Sequence, residues 1–281
     1  MGSDAALSRG ISTVGFIFGV CQARALPGPI LIDLLDHVGT PPDAARALLR
    51  RMTGLGSLSR ETAGRVTVYR MAGHMLARFY TIRVGRTEPA WPGHFQLVAY
   101  DLSSQERVWR DRMRAAAHRG GFVRLRPGVL IGFESPESWL RPFTLLRDQL
   151  GLVETGTWAV DVATARRVTH RCWDVETHRQ SITATIAAVA GLVDTPPADG
   201  WEALRQLQTA GSSAAIIWLD VPRVPVELLP ADWPMQRLSQ VVDAVAQRCK
   251  EPIAAVLQPH LAAHRDAALI EWYSPHDWHS P

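Results

Sequence analysis

Three arginines lie close together in one short segment of this chain, residues 44–52, and their spacing suits contact with nucleic acid. At helical pitch, Arg46 and Arg50 project from one side of the segment, and Arg51 lies on the flank. The apolar residues share the opposite face: Ala44, Ala45, Leu48, Leu49 and Met52. A short helix with a buried stripe and an arginine ridge fits the major groove of DNA, where guanidinium groups bind guanine.

The residues before this segment indicate where the helix begins. Thr40 suits an N-cap, and Pro41 suits the first helical position. Asp43 follows three residues after the cap, where a carboxylate stabilises the positive end of the helix dipole. We therefore expect an ordered helix with a defined start.

The residues after the segment predict a hairpin. Residues 58–60 and 65–71 have the composition of two strands, and Ala63-Gly64 lies in the turn between them. Arg65 follows directly after that turn. The combination predicts a helix-turn-helix with a basic wing.

The upstream residues complete this motif. Residues 13–26 predict a buried helix, and residues 30–37 predict a second helix that Gly39 ends with a left-handed C-cap. The order helix, helix, arginine-faced helix and hairpin is that of a winged helix. A charged helix face is often only solvated, but the hairpin directly after it favours DNA binding. The residues that we predict to contact DNA are Thr40, Asp43, Arg46, Arg50, Arg51, Arg60, Arg65 and Thr67.

Charge is distributed unevenly along the 281 residues. The formal net charge is +3, yet residues 1–88 hold 11 arginines against 6 acidic residues, and the remainder is slightly acidic. A cationic N-terminal part joined to a near-neutral body fits a nucleic-acid-binding module attached to a second function.

Cysteine usage and hydropathy indicate the compartment. The three cysteines lie far apart and form no C-x-x-C motif, which favours a reducing cytoplasm. No apolar run has the length of a membrane span, and the first residues lack a signal pattern. We expect a cytoplasmic protein without a membrane partner.

Residues 85–163 predict a separate middle domain. Its expected elements are strand, helix, strand, strand, helix and strand, over residues 94–102, 103–119, 122–126, 129–133, 135–150 and 157–162. The inward candidates of its first helix are Val108, Trp109, Met113 and Ala116. This order predicts a ferredoxin-like βαββαβ sandwich.

Two features of the middle domain could carry chemistry. Seven arginines crowd residues 107–126 beside one acid, Asp111, and could grip phosphates of DNA or of an anionic ligand. A solvated helix face with salt bridges is the alternative. Asp101 ends the first strand, where it could bind a metal as in a nuclease or simply assist the following helix start. A metal-dependent nuclease using Asp101 is therefore the alternative function.

Residues 164–281 predict a mainly helical C-terminal domain. We expect helices over residues 172–192, 201–210, 235–250 and 253–264. Residues 214–219 could be helix or strand, and residues 224–234 are irregular. The side chains that we predict to bind a ligand are Arg124, Arg126, Trp139, Trp158, Trp173 and Trp218.

Metal and catalytic motifs give no positive signal. His260 and His264 are four residues apart on an expected helix, but no acid or cysteine completes a metal site at a recognisable spacing. The chain holds no G-x-S-x-G, P-loop or H-E-x-x-H motif. We predict no metal ligand, no catalytic residue and no enzyme activity.

Three sequence blocks resemble the PaaX family of transcriptional regulators, in the family's order and over most of the chain. The first is PPDAARALLRRM, residues 41–52, followed by Gly64-Arg65 and Tyr69. The second is the stretch beginning WPGHFQLVAYDL, residues 91–133. The third is VPVELLPADWP, residues 224–234.

The resemblance implies a homodimeric repressor. Its winged helix would bind a palindromic operator in double-stranded DNA, and an aromatic acyl-coenzyme A or related small molecule would release it. No other cofactor is expected. The predicted fold is α+β multidomain, with a winged helix-turn-helix over residues 1–84, a ferredoxin-like domain over 85–163 and a mainly helical domain over 164–281. The resemblance assigns effector binding and dimerisation to this last domain.

Overall fold

The described strands form two four-stranded antiparallel sheets. The computed structural model describes residues 2–84, 88–102, 107–144 and 151–273. The chain divides into two compact units: unit 1 is Met1–Arg86, Ile182–Asp220 and Pro234–Pro281, and unit 2 is Thr87–Ser181 and Val221–Trp233. Residues 164–281, expected as one C-terminal domain, are divided between both units. The fold is α+β, as the sequence predicts.

The elements follow one another in this order. The first are α1 (Gly2–Cys21), β1 (Ala23–Pro27), α2 (Gly28–His37), α3 (Pro42–Gly54), β2 (Leu58–Ala63), β3 (Val66–Met71) and α4 (Gly73–Val84). Next come β4 (His94–Leu102), α5 (Arg107–Arg119), β5 (Val123–Arg126), β6 (Val129–Gly132), α6 (Glu137–Thr144), β7 (Gly151–Ala159) and α7 (Val162–Cys172). The last are α8 (Val175–Asp194), α9 (Gly200–Asp220), α10 (Met235–Ala263) and β8 (Glu271–Trp272).

The segment expected as one helix over residues 13–26 is a helix followed by a strand. α1 ends at Cys21, and Gln22 reverses the chain with a φ of 53°. β1 then pairs antiparallel with both β3 and β8, in a sheet of order β2-β3-β1-β8. A short apolar run suits a buried helix and a buried strand equally. The two partner strands, from distant parts of the chain, decide between them.

The helix α3 begins at Pro42, one residue later than expected. Pro41 is the N-cap residue with φ −55° and ψ 151°, and no side chain caps the helix, so the predicted N-cap role of Thr40 is wrong. The physical reason is the Pro-Pro pair, because a proline disfavours helical backbone at the residue before it. Asp43 does lie in the first turn, as predicted.

The hairpin after α3 is longer than expected. β2 and β3 pair from Leu58–Met71 to Ala63–Val66, so the turn is Gly64-Arg65 rather than Ala63-Gly64. Gly64 has a φ of 62°, which fits a two-residue turn with glycine first. Residues 59–62 are exposed and mostly polar. The second half of β2 therefore lacks the alternation of apolar and polar residues that predicts a strand.

In two places, segments that the sequence predicts as separate form one continuous helix. α9 runs through Gly211, and α10 runs through both Pro252 and Pro259. Glycine and proline weaken isolated helices. Here the helices bury their facing sides in the core of unit 1, which includes Ala210 of α9 and Leu257 of α10. This packing overrides the local propensity.

The sheet of unit 2 has the order β5-β6-β4-β7, with antiparallel neighbours. β4 has the predicted bounds, but β7 begins at Gly151 rather than residue 157 and ends at Ala159. It pairs along the whole of β4, which sets its length. Residues 154–156 of β7 are exposed and contain no apolar side chain, so their sequence gave no strand signal. Asp161 instead caps α7 by accepting a hydrogen bond from the Thr164 amide at 2.9 Å.

The helix α5 buries Met113 and Ala117, which are one turn apart. Val108 was expected to face inward but is 65% exposed, because it lies on the opposite side of the helix from Met113. Trp109 and Ala116 are half-buried. The expected helix start at residues 103–106 and the expected helical residues 145–150 lie outside the described residues.

Candidate nucleic-acid interface

The helix α3 separates its apolar residues from its arginines. Arg46, Arg50 and Arg51 are all exposed, as the helical spacing predicted. Leu48 is half-buried, and Ala44, expected on the buried face, is exposed. The buried side of α3 comprises Ala45, Leu49 and Met52. Because these three residues anchor the helix to the core of unit 1, its arginine side faces solvent.

An ion pair orients one of these arginines. Nη1 of Arg46 lies 2.8 Å from Oδ1 of Asp43, one turn earlier in the helix. Both side chains are exposed, so the pair is screened by solvent and contributes little to stability. Its effect is geometric, since it directs the guanidinium of Arg46 towards the beginning of α3.

The hairpin adds two further exposed arginines. Arg60 lies in β2, and Arg65 occupies the second position of the turn. Thr67 in β3 is half-buried. Tyr69 packs closely beside Gly28, because a Cβ at that position would lie 3.2 Å from the tyrosine ring. The hairpin therefore presents guanidinium groups next to α3 in sequence and in unit 1.

The connection from α2 to α3 is fixed by backbone hydrogen bonds. The amide of Thr40 donates to the carbonyl of Leu35 at 2.8 Å, and the amide of Gly39 donates to Asp36 at 2.9 Å. With Gly39 at φ 87°, this is a Schellman helix end, and it confirms the predicted C-cap glycine. Thr40 thus acts through its backbone.

The connection from α3 to the hairpin is fixed in a similar way. Ser57 donates its amide to Met52 at 2.9 Å, after Gly56 with a φ of 68°. At the other end of the hairpin, Gly73 has a φ of 51°, and a Cβ there would lie 2.7 Å from the carbonyl oxygen of Gly56. The ends of α3 and of the hairpin are therefore in direct contact.

One arginine of the sheet is neutralised. Arg70 in β3 pairs with Glu61 at 2.8 Å and with Glu271 of β8. Its hydrogen bonds to Glu61 and then to Glu271 raise the pKa of Arg70 further above its usual value. Arg70 therefore links β3 to β2 and β8 through ion pairs. Arg60 and Arg65, in contrast, are exposed at the hairpin.

The tryptophans predicted to bind a ligand do not share one cavity. Trp173 stacks on Phe133 at 4.6 Å between ring centroids, and Trp158 lies 5.7 Å from Phe95, in one aromatic cluster of unit 2. Trp139 packs against Phe122 in another core. Trp218 belongs to unit 1. Trp139 and Trp173 are core residues that also line separate cavities of unit 2, and Trp173 shares its cavity with Arg124. Trp218 lines a cavity of unit 1 that is described below.

Two arginines of the arginine-rich part of unit 2 contact aromatic side chains. Arg114 donates to the hydroxyl of Tyr100 at 3.0 Å, and Arg112 lies over the ring of Trp109 at 5.6 Å. Arg124 and Arg126, predicted to bind a ligand, are exposed in β5. These arrangements fit a solvated basic surface.

An apolar cavity of about 330 Å³ lies within unit 1, beside α1, α4 and α9. Its walls are mainly aliphatic and aromatic, and they include Gly15, Phe16, Met75, Phe79, Leu207 and Trp218. Arg78 supplies a cation at the lining, with Nη2 3.8 Å from Oδ1 of Asp220. The sequence offered no signal for this cavity, because its wall residues come from three separate helices.

Asp101 is exposed at the end of β4, and no cluster of three potential metal ligands within the described ranges includes it. His260 has neighbours that its sequence spacing did not reveal, since its Nε2 lies 2.6 Å from Oδ2 of Asp33. His264, which lies four residues after His260, is beside Asp266 instead.

Comparison with known proteins gives a structural relative. No protein-family model and no curated protein matches the sequence. Among solved structures, the uncharacterized protein Rv0674 from Mycobacterium tuberculosis is similar, with a TM-score of 0.50 and 22% identity over 80% of this chain and 88% of that one. No helix in the described ranges is long and apolar enough to span a membrane. At this identity, the similarity to Rv0674 establishes a related fold.

Proposed function

We propose that this protein is a DNA-binding transcriptional regulator of the kind that the PaaX resemblance implies. In this proposal α3 enters the major groove, and the β2–β3 hairpin is the wing. The observation that carries it is the exposed row of Arg46, Arg50 and Arg51 on a helix whose opposite side is buried. Two copies would place their α3 helices in successive major grooves of a palindromic operator.

The order of elements supports the proposal. Helix, strand, two helices and a hairpin, with the first strand pairing to the second hairpin strand, is the arrangement of a winged helix. In unit 2, the βαββαβ order with sheet order β5-β6-β4-β7 supports a ferredoxin-like domain.

DNA binding is tested by selecting bound genomic fragments and measuring affinity for the selected site. Arg46→Ala and Arg50→Ala should each weaken operator binding by about 1–3 kcal/mol if they bind guanine. Arg265→Ala is the matched control, because this arginine also belongs to unit 1 and its side chain is 83% exposed. Parental affinity in both α3 variants would contradict the assignment.

We propose that a small-molecule effector occupies the apolar cavity of unit 1. Its walls suit an aromatic acyl group, and Arg78 suits an anionic or polar head group. The helix α1 lines this cavity and also contacts α3, since a Cβ on Gly10 would lie 2.8 Å from Leu48. A ligand that displaces α1 would therefore act on α3 through Leu48.

The effector site is tested by filling the cavity. Ala215 is buried in its wall, so Ala215→Phe should abolish release from operator by aryl-coenzyme A compounds or by free aryl acids, while leaving operator affinity within about 0.5 kcal/mol of the parent. Ala262→Phe, at an exposed position of α10, is the control. Release that persists in Ala215→Phe would place the effector elsewhere. Comparing thioesters with free acids identifies the ligand class.

A further inference from the structure

Three potential metal ligands converge within unit 1. Asp33 and His37 lie one turn apart on α2, and His260 lies on α10. One ligand atom from each residue lies within 4.8 Å of the other two. The closest pair is Oδ2 of Asp33 and Nε2 of His260, at 2.6 Å. All three side chains are half-buried, so solvent reaches the site.

The neighbouring helix α9 holds the two imidazoles in place. The ring of His37 stacks on Trp201 at 3.7 Å between centroids with an interplanar angle of 2°, and His260 meets Trp201 edge-on at 5.1 Å. Arg205 donates to the backbone carbonyl of His37 at 3.2 Å. Packing against Trp201 restricts the orientation of both imidazole rings.

The ends of two helices add a favourable field. α2 ends at His37 itself, and α10 ends at Ala263, three residues after His260. The C-terminal end of a helix carries a partial negative charge and stabilises a nearby cation. The field from both helix ends therefore favours a metal ion between Asp33, His37 and His260.

We propose that Asp33, His37 and His260 bind a divalent transition-metal ion of the zinc class. Two imidazole nitrogens and one carboxylate oxygen form a donor set that suits Zn²⁺, with a fourth position open to water. Bonds of 2.0–2.2 Å in a tetrahedral site place ligand atoms about 3.4 Å apart. The ion therefore replaces the Asp33–His260 hydrogen bond and draws His37 inward. It links α2 to α10, across 227 residues of sequence.

The site is tested by titrating chelator-treated, untagged full-length protein with Zn²⁺, and with Co²⁺ for the visible absorption of a tetrahedral complex. One equivalent should bind and raise the melting temperature. Asp33→Asn and His260→Gln should each weaken Zn²⁺ affinity at least about tenfold. Asp33→Asn keeps the size of the side chain and its capacity to accept a hydrogen bond from His260, so this variant tests the site without removing the contact between the helices.

His264→Gln is the matched control, because His264 follows His260 by one turn and pairs with Asp266. It should retain parental affinity and the parental Co²⁺ spectrum. Equal Zn²⁺ affinity in the parent and in Asp33→Asn would overturn the proposal. So would absence of any metal-dependent rise in melting temperature, or a loss of affinity in His264→Gln that His260→Gln does not show.

Discussion

The carboxylate of Asp43 lies 2.8 Å from the guanidinium of Arg46, so the acid in the first turn of α3 holds the nearest arginine of the proposed DNA-binding surface. Asp43→Asn removes this charge pairing. Without this pair, we expect the guanidinium of Arg46 to be less fixed in orientation and to contact DNA phosphates more often. Discrimination between operator and random DNA should then fall by about 0.2–1 kcal/mol.

Competition between labelled operator and random duplex measures this discrimination. Asp36→Asn is the matched control, because it removes one exposed acid from α2 and changes the net charge equally. Equal loss of discrimination in the two variants would attribute the effect to net charge rather than to the position of Arg46.

Leu49 anchors α3 to the core of unit 1. It is fully buried, whereas Leu55 at the end of the same helix is 59% exposed. Leu49→Ala should lower the free energy of unfolding by about 2–5 kcal/mol, because it removes buried methyl groups and leaves a cavity. Leu55→Ala should change it by less than about 0.5 kcal/mol. Urea unfolding checks both values, and similar losses would contradict the burial of the apolar side of α3.

Gly73 is required where the hairpin ends. Its φ is 51°, and a Cβ would lie 2.7 Å from the carbonyl oxygen of Gly56. Gly73→Ala should destabilise the protein by about 1–3 kcal/mol through backbone strain and this clash. Gly54 is helical with open space around it, so Gly54→Ala should be neutral or stabilising by up to about 1 kcal/mol. Thermal unfolding of both variants separates the two cases, and a neutral Gly73→Ala would contradict the contact.

Cys21 makes stability fall in alkaline solution. Burial raises the pKa of its thiol to about 12, from an ordinary value of 9.0. Between these values the folded chain keeps a proton that the unfolded chain loses, so stability decreases as pH rises, by at most about 1.4 kcal/mol per pH unit. Chemical unfolding from pH 8.5 to 10.5 should show a steeper decrease in the parent than in Cys21→Ala. Parallel curves would mean that Cys21 ionises normally in the folded state.

Local sequence determined the parts of the proposed interface that depend on neighbouring residues. The period of the apolar residues placed Leu49 and Met52 inward and Arg46 and Arg50 outward, because helical pitch acts within a few residues. Gly39 ended α2 for the same local reason, through its positive φ. The start of α3 was displaced by one residue because the effect of Pro42 on Pro41 outweighed the capping preference of Thr40.

Tertiary structure decided everything that depends on residues far apart in the chain. β1 became a strand because β3 and β8 pair with it, and α10 passed Pro252 because its buried face packs in the core. The same long-range packing brought Asp33 and His37 to His260. It also placed Trp218 in unit 1, whereas the other three tryptophans predicted to bind a ligand belong to unit 2. The spacing of apolar residues in the sequence shows which face of a helix or strand is apolar, but it does not show which element covers that face. The covering element is determined by the folding of the whole chain.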